Sequence, residues 1–177
     1  MAEKNVLTGK EILLSALRNE TTVRPAWAPF VGVHGGKLIG VDAAAFLQSA
    51  DHIVAGQRRA WELYRPDGLP VVFDLQLEAE VLGCELHWAK EVPPSVLSHP
   101  LADCELEDLP PFDVSKGRFP LVGDATRRLR NDIGGETALY GLVTGPFTLL
   151  SHLRGSDLFM DMMTDPELVR KNMSYCT

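Results

Sequence analysis

Apolar residues between Thr8 and Asn19 recur with helical spacing. Ile12, Leu13 and Leu17 share a face, and Thr8 with Glu11 three residues on has the form of a capping box. Arg24–Phe30, with Trp27 and Phe30 set among prolines, predicts a short strand, and Gly32-Val33-His34-Gly35-Gly36 a loop after it. Val41–Gln48 and Ala50–Tyr64 predict helices, the second burying Ile53, Trp61 and Leu63 or Tyr64 and exposing Arg58 and Arg59. Leu69–Phe73 is a continuous apolar run ending on Asp74, the pattern of a strand covered on both faces.

Leu75–Leu82 predicts a short helix closed by Gly83, and Cys84–Trp88 an extended segment. Glu91–Phe112, rich in proline and acid, predicts an irregular excursion. Arg118–Ile133 predicts a helix with Leu121, Val122, Ala125, Leu129 and Ile133 inside, stopped by Gly134-Gly135. Ala138–Val143 predicts a second buried strand, and helices are expected over Phe147–Leu153, Asp157–Met163 and Asp165–Cys176. Buried strands alternating with amphipathic helices define an α/β chain with a parallel sheet. About three core strands are too few to close a barrel. Residues 1–177 are therefore expected to form a single incomplete domain, the front half of a larger α/β protein; the alternative is a complete small sheet.

Composition narrows the function. Seventeen basic residues against 24 acidic ones give a net charge of −7 with no basic block, which speaks against nucleic acid or an anionic membrane as partner. No run approaches the ~18–20 apolar residues of a membrane span, and the amino end, Met-Ala-Glu-Lys-Asn, lacks the form of a secretory signal. Three widely spaced cysteines fit a reducing, cytoplasmic setting better than a disulfide framework.

Asp74 is the leading catalytic candidate, because the carboxyl ends of parallel strands open onto α/β active sites; the competing role is a helix N-cap. Glu78 shares its helical face and is a candidate for substrate binding or a solvated carboxylate. His34, a candidate proton shuttle, sits with Gly35 and Lys37 in a glycine-rich loop that serves either as site rim or as plain turn. That loop lacks the spacing of a phosphate-binding loop. Gly145 and Pro146 bring a helix N-terminus to the same rim, suited to an anionic group or needed only as a turn. Cys84 and His87, three apart in a strand, point to opposite faces and cannot chelate together, so no metal site is expected in this chain. No Gly-x-Ser-x-Gly elbow supports a serine hydrolase.

Leu69-Pro70-Val71-Val72-Phe73-Asp74, continued by Glu78-Ala79-Glu80-Val81-Leu82-Gly83-Cys84-Glu85-Leu86, resembles a strand, helix and turn of the uroporphyrinogen decarboxylase superfamily. Thr144-Gly145-Pro146-Phe147-Thr148-Leu149 resembles that family's Gly-Pro-Trp-Thr-Leu segment. The likeness runs from about Lys10 to the end of the chain. It implies the amino-terminal portion of a (β/α)8 TIM barrel with a helical preamble. It also implies an enzyme of one of two kinds: a cofactor-free decarboxylase of porphyrin biosynthesis or a cobamide-dependent methyltransferase. In the decarboxylases an Asp matching Asp74 binds pyrrole N–H groups, and an arginine-rich segment near the first strand holds substrate carboxylates. Residues 28–37 here contain no arginine, and Lys37 is a poor substitute for guanidinium forks. Segment 82–88, with Pro93-Pro94 and His99-Pro100, is closer to the methyltransferase branch. On that reading the partner is a corrinoid protein or small molecule, zinc and a corrinoid belong to the full-length protein, and a homodimer is compatible. A non-catalytic tetrapyrrole-binding module is the alternative outside enzymes.

Overall fold

The computed structural model describes residues 7–177; the expectation for Met-Ala-Glu-Lys-Asn lies outside them. The chain divides into two compact units, one formed by the chain up to Phe73 with Leu121–Leu142, the other by Asp74–Pro120 with Val143–Thr177.

In the first unit, helix α1 (Gly9–Leu17) starts from the expected capping box: the Thr8 hydroxyl accepts the Glu11 amide at 3.2 Å, and the Glu11 carboxylate accepts the Thr8 amide at 2.7 Å. Only Ile12 of its expected face is buried, and Leu17 is exposed. The strand expected over Arg24–Phe30 is absent. Pro25 and Pro29 have no N–H to give a ladder, and the segment is held instead by Trp27, whose carbonyl accepts the Asp67 and Gly68 amides. Asp67, fully buried, fixes it further: Arg24 grips both carboxylate oxygens at 2.5 and 2.7 Å, and the Trp27 amide donates at 2.8 Å.

The glycine-rich stretch is helical. Helix α2 (His34–Leu38) packs on α3 (Ala43–Leu47) and α4 (Ala50–Tyr64) because Gly35 and Gly56 meet with no side chain between them. A Cβ on Gly56 would lie 2.6 Å from the Gly35 carbonyl oxygen, and one on Gly35 would lie 2.9 Å from the Phe46 ring. This approach also sets the buried face of α4, which is Ile53, Gly56, Gln57 and Ala60. Leu63 and Tyr64 are exposed, against expectation, and Trp61 is half-buried with Arg65 stacked 4.1 Å from its ring centre.

Strand β1 (Gly68–Pro70) pairs in parallel with a later strand (Ala138–Tyr140), in the register Gly68↔Ala138, Leu69↔Leu139, Pro70↔Tyr140. Regular pairing stops early because Pro70 has no amide, although Val71 and Val72 remain buried and Val71 still donates to the Tyr140 carbonyl. The later strand is only half-buried and ends before Val143, which is 82% exposed.

The second unit opens at Asp74. Helix α5 (Leu77–Val81) closes on Gly83 at φ +98°. Strands β2 (Leu86–His87) and β3 (Ser95–Val96) form a small antiparallel pair, and α6 (Pro100–Asp103) follows. The excursion expected to be irregular thus carries a strand and a helix, with a 3-10 turn at Leu106–Asp108. Helix α7 (Phe119–Asp132) crosses into the first unit, where Ala125, Leu129 and the following Ile133 are buried; Leu121 and Val122 are half-buried. The later strand, β4 (Ala138–Tyr140), precedes α8 (Pro146–Arg154), α9 (Asp157–Thr164) and α10 (Pro166–Tyr175). Leu149, Leu150 and Leu153 of α8 form a core with Ala79, Leu82 and Leu101. No described helix is long and apolar enough to cross a membrane.

Candidate functional site

Asp74 leaves the apolar run as expected, but its side chain is buried and hydrogen-bonded through both oxygens. One oxygen accepts the Gln76 amide at 2.9 Å and the other accepts Arg118 Nη1 at 2.5 Å. It is not the N-cap of α5, a position taken by Gln76. Arg118 also donates through Nε to Glu80 at 2.8 Å, and its guanidinium lies 4.8 Å from the Trp88 ring centre. One cation therefore serves two carboxylates, with Arg118 and Asp74 both withdrawn from water. Its third nitrogen, Nη2, is buried without a partner. This arginine stands 44 positions from Asp74 and carries no local sequence signal.

Glu78 and Glu80 are two apart on α5 and so point to different sides. Glu80 meets Arg118, whereas Glu78 turns to the loop before α8. Its oxygens accept the Thr144 amide at 3.2 Å and the Thr144 hydroxyl at 2.8 Å, and that hydroxyl also lies 2.9 Å from the Leu75 carbonyl oxygen. Glu78, Thr144, Gly145, Pro146 and Leu149 line a cavity of about 850 Å³, closed in part by Phe112 and Tyr175. The three sequence-predicted binding residues Glu78, Gly145 and Pro146 therefore share one cavity. Glu78 is its only charged side chain among the described lining residues.

Three further candidates belong to the first unit. His34 is exposed, with Nε2 2.9 Å from the Tyr64 hydroxyl, and borders a smaller cavity of about 220 Å³ with Trp27, Phe30 and Tyr64. Gly35 is buried in the α2–α4 contact, so its missing side chain serves helix packing, and Lys37 is exposed.

His152 on α8 was not anticipated. Its Nδ1 is buried with no partner, while its backbone carbonyl accepts His99 Nδ1 at 2.7 Å and Cys84 Sγ at 3.5 Å. Burial lowers its proton affinity and His99 adds to this, whereas the charges of Glu78 and Asp74 oppose it. Burial likewise pushes the Cys84 thiol up to about 11, which disfavours the thiolate a metal needs, and His87 is exposed. No cluster of three or more metal-binding side chains occurs among the described residues.

Residues 8–177 match the family model described as uroporphyrinogen decarboxylase (URO-D). Methylcobamide:CoM methyltransferase MtbA of Methanosarcina acetivorans is 31% identical over 135 residues, 75% of this chain and 37% of that protein. Methylated-thiol–coenzyme M methyltransferase of Methanosarcina mazei is 38% identical over 96 residues, 54% of this chain and 26% of that protein. Uroporphyrinogen decarboxylase 2, chloroplastic, of Arabidopsis thaliana is 29% identical over 106 residues, 60% of this chain and 27% of that protein. A solved methyltransferase from Methanosarcina mazei superposes with a TM-score of 0.86 at 24% identity, over 97% of this chain and 52% of that one. This likeness fixes the fold as the expected α/β class, the amino-terminal portion of a (β/α)8 barrel. The chain spans only about a quarter to two fifths of the length of these curated relatives. It belongs to the uroporphyrinogen decarboxylase (URO-D) family.

Proposed function

We propose that this chain is the amino-terminal half of an enzyme that transfers a methyl group between a corrinoid partner and a small thiol, in the cytoplasm. One observation carries the choice over porphyrinogen decarboxylation. The 850 Å³ cavity is largely apolar, and among its described lining residues the one charged side chain is the carboxylate of Glu78. A substrate bearing eight carboxylates requires fixed cations, and a cavity with one negative charge repels it. Arg118 cannot serve without a loss, because Asp74 and Glu80 already hold it. Asp74 already accepts from Arg118 and from the Gln76 amide, and its side chain is withdrawn from water, which does not suit it to greet a row of pyrrole N–H groups.

The relatives named for methyl transfer to coenzyme M support the same choice. Cys84 and His87 do not fit zinc, since one is a buried thiol and the other an exposed ring with no third partner, so any zinc ligands belong to the remainder of the protein. The site residues are Asp74 and the cavity group Glu78, Thr144, Gly145 and Pro146. Asp74 is pinned by Arg118, and Glu78 holds the Thr144 turn in place.

The test is a competition between reactions. Full-length protein given methylcobalamin and coenzyme M is expected to consume both and form the methyl thioether. Given uroporphyrinogen, it is expected to release no carbon dioxide. Decarboxylation without methyl transfer would reverse the assignment.

A further inference from the structure

We infer that the aromatic cavity of the first unit binds a quaternary ammonium group. The inference does not rest on the methyl-transfer reading. The cavity, about 220 Å³, is lined by Trp27, Pro29, Phe30, Val31, His34 and Tyr64. Aromatic residues are only 7% of the chain, yet three of these six are aromatic and a fourth is an imidazole. Trp27, Phe30 and Tyr64 remain 49%, 67% and 40% exposed. Large apolar rings gathered around one hollow and left in water mark a binding surface rather than a core. The walls are also fixed in advance, which spares a ligand the cost of ordering them. The Trp27 amide donates to the buried Asp67 at 2.8 Å, and its carbonyl accepts the Asp67 and Gly68 amides. Phe30 leans on Phe73 with ring centres 4.9 Å apart, and the Tyr64 ring stacks on His34 with centres 6.0 Å apart.

The chemistry of the walls selects the occupant. Ring faces carry partial negative charge and attract a cation without hydrogen-bonding to it. A primary ammonium must place three N–H donors, and this wall offers them little: the Tyr64 hydroxyl and His34 Nε2 are engaged with each other at 2.9 Å. An anion finds no lysine or arginine among the described lining residues. A methylated ammonium needs no hydrogen bond, presents an apolar shell to the rings and keeps its charge. The net charge of −7 adds a field that favours cations over anions. The small volume limits the group to a compact head, with any longer tail left in solvent.

The experiment titrates wild-type full-length protein in a calorimeter with choline, and with the neutral alcohol in which carbon replaces the choline nitrogen. The two have the same shape and differ in charge. Three rings at the usual strength of a cation–π contact are expected to favour choline by roughly 10-fold or more. Ethanolamine, a primary ammonium, is expected to bind more weakly than choline. Trp27→Leu, Phe30→Leu and Tyr64→Leu, each with native circular dichroism, should weaken choline by roughly 2–5-fold while leaving the neutral alcohol unchanged, because leucine keeps the apolar surface and removes the ring. Equal affinity of wild type for choline and the alcohol would make the cavity an ordinary apolar slot and overturn the inference. So would the absence of choline binding, or choline affinity unchanged in all three variants. The wild-type comparison needs no variant to fold.

Discussion

Two buried aspartates bracket the same strand, and they are built differently. Asp67 precedes β1; a half-exposed Arg24 closes on it bidentately and the Trp27 amide completes the shell, so the group is satisfied and still wetted through its partner. Asp74 follows the apolar run; its partner Arg118 is itself 8% exposed, is shared with Glu80 and keeps one nitrogen unpaired. The first arrangement is complete and staples a loop to a strand. The second concentrates charge where water is scarce, at the strand end where α/β enzymes place their chemistry. Asp67 is satisfied through a half-exposed partner, whereas the Asp74 cluster leaves an Arg118 nitrogen unpaired, a contrast that supports the role proposed for Asp74.

The largest test of this contrast is to remove each arginine from the full-length protein. Arg118→Met strands two carboxylates, one of them fully buried, and is expected to cost about 3–5 kcal/mol in denaturant unfolding. Arg24→Met removes a half-exposed arginine, which lets water reach the buried Asp67 while the Trp27 amide still donates to it, and is expected to cost about 1 kcal/mol. Equal losses would erase the distinction.

Asp67→Asn comes next, at about 1–3 kcal/mol, the range for a buried hydrogen-bonded group losing its charge-assisted partner. It also has a pH signature. The Arg24 guanidinium and the Trp27 amide hold the Asp67 carboxyl below its usual range against the effect of burial. Its contribution is therefore present above about pH 4 and is lost as pH falls through the depressed folded value. Thermal melts between pH 7 and pH 2 should show a steeper acid loss for wild type than for Asp67→Asn. The smallest effect is expected for Thr8→Ala, about 1 kcal/mol for a lost cap, measured in the same melts.

What the sequence disclosed follows the range of the interaction responsible. The α1 capping box, the span of α4 and the Gly83 stop depend on residues within a few positions of one another, and they stand as expected. The glycines of α2 suggested a loop because their helical state depends on Phe46 and Gly56, which local propensity does not register. The missing strand at Arg24–Phe30 was legible in Pro25 and Pro29, whose absent amides outweigh the aromatic alternation. At the site, Glu78, Gly145 and Pro146 were legible as a group by position along their elements. Arg118 was not, because the Asp74 pair closes over 44 residues.

The most direct measurement places Asp67→Asn beside Asp74→Asn in full-length protein and reads methyl transfer per folded molecule, with the folded fraction taken from circular dichroism at the assay temperature. Asp67→Asn is expected to lower stability while keeping wild-type kcat/KM. Asp74→Asn is expected to lose at least 10²-fold in kcat/KM at temperatures where it remains folded. Asp74→Asn with wild-type turnover per folded molecule would contradict the account, making the Asp74–Arg118 pair a second structural pin.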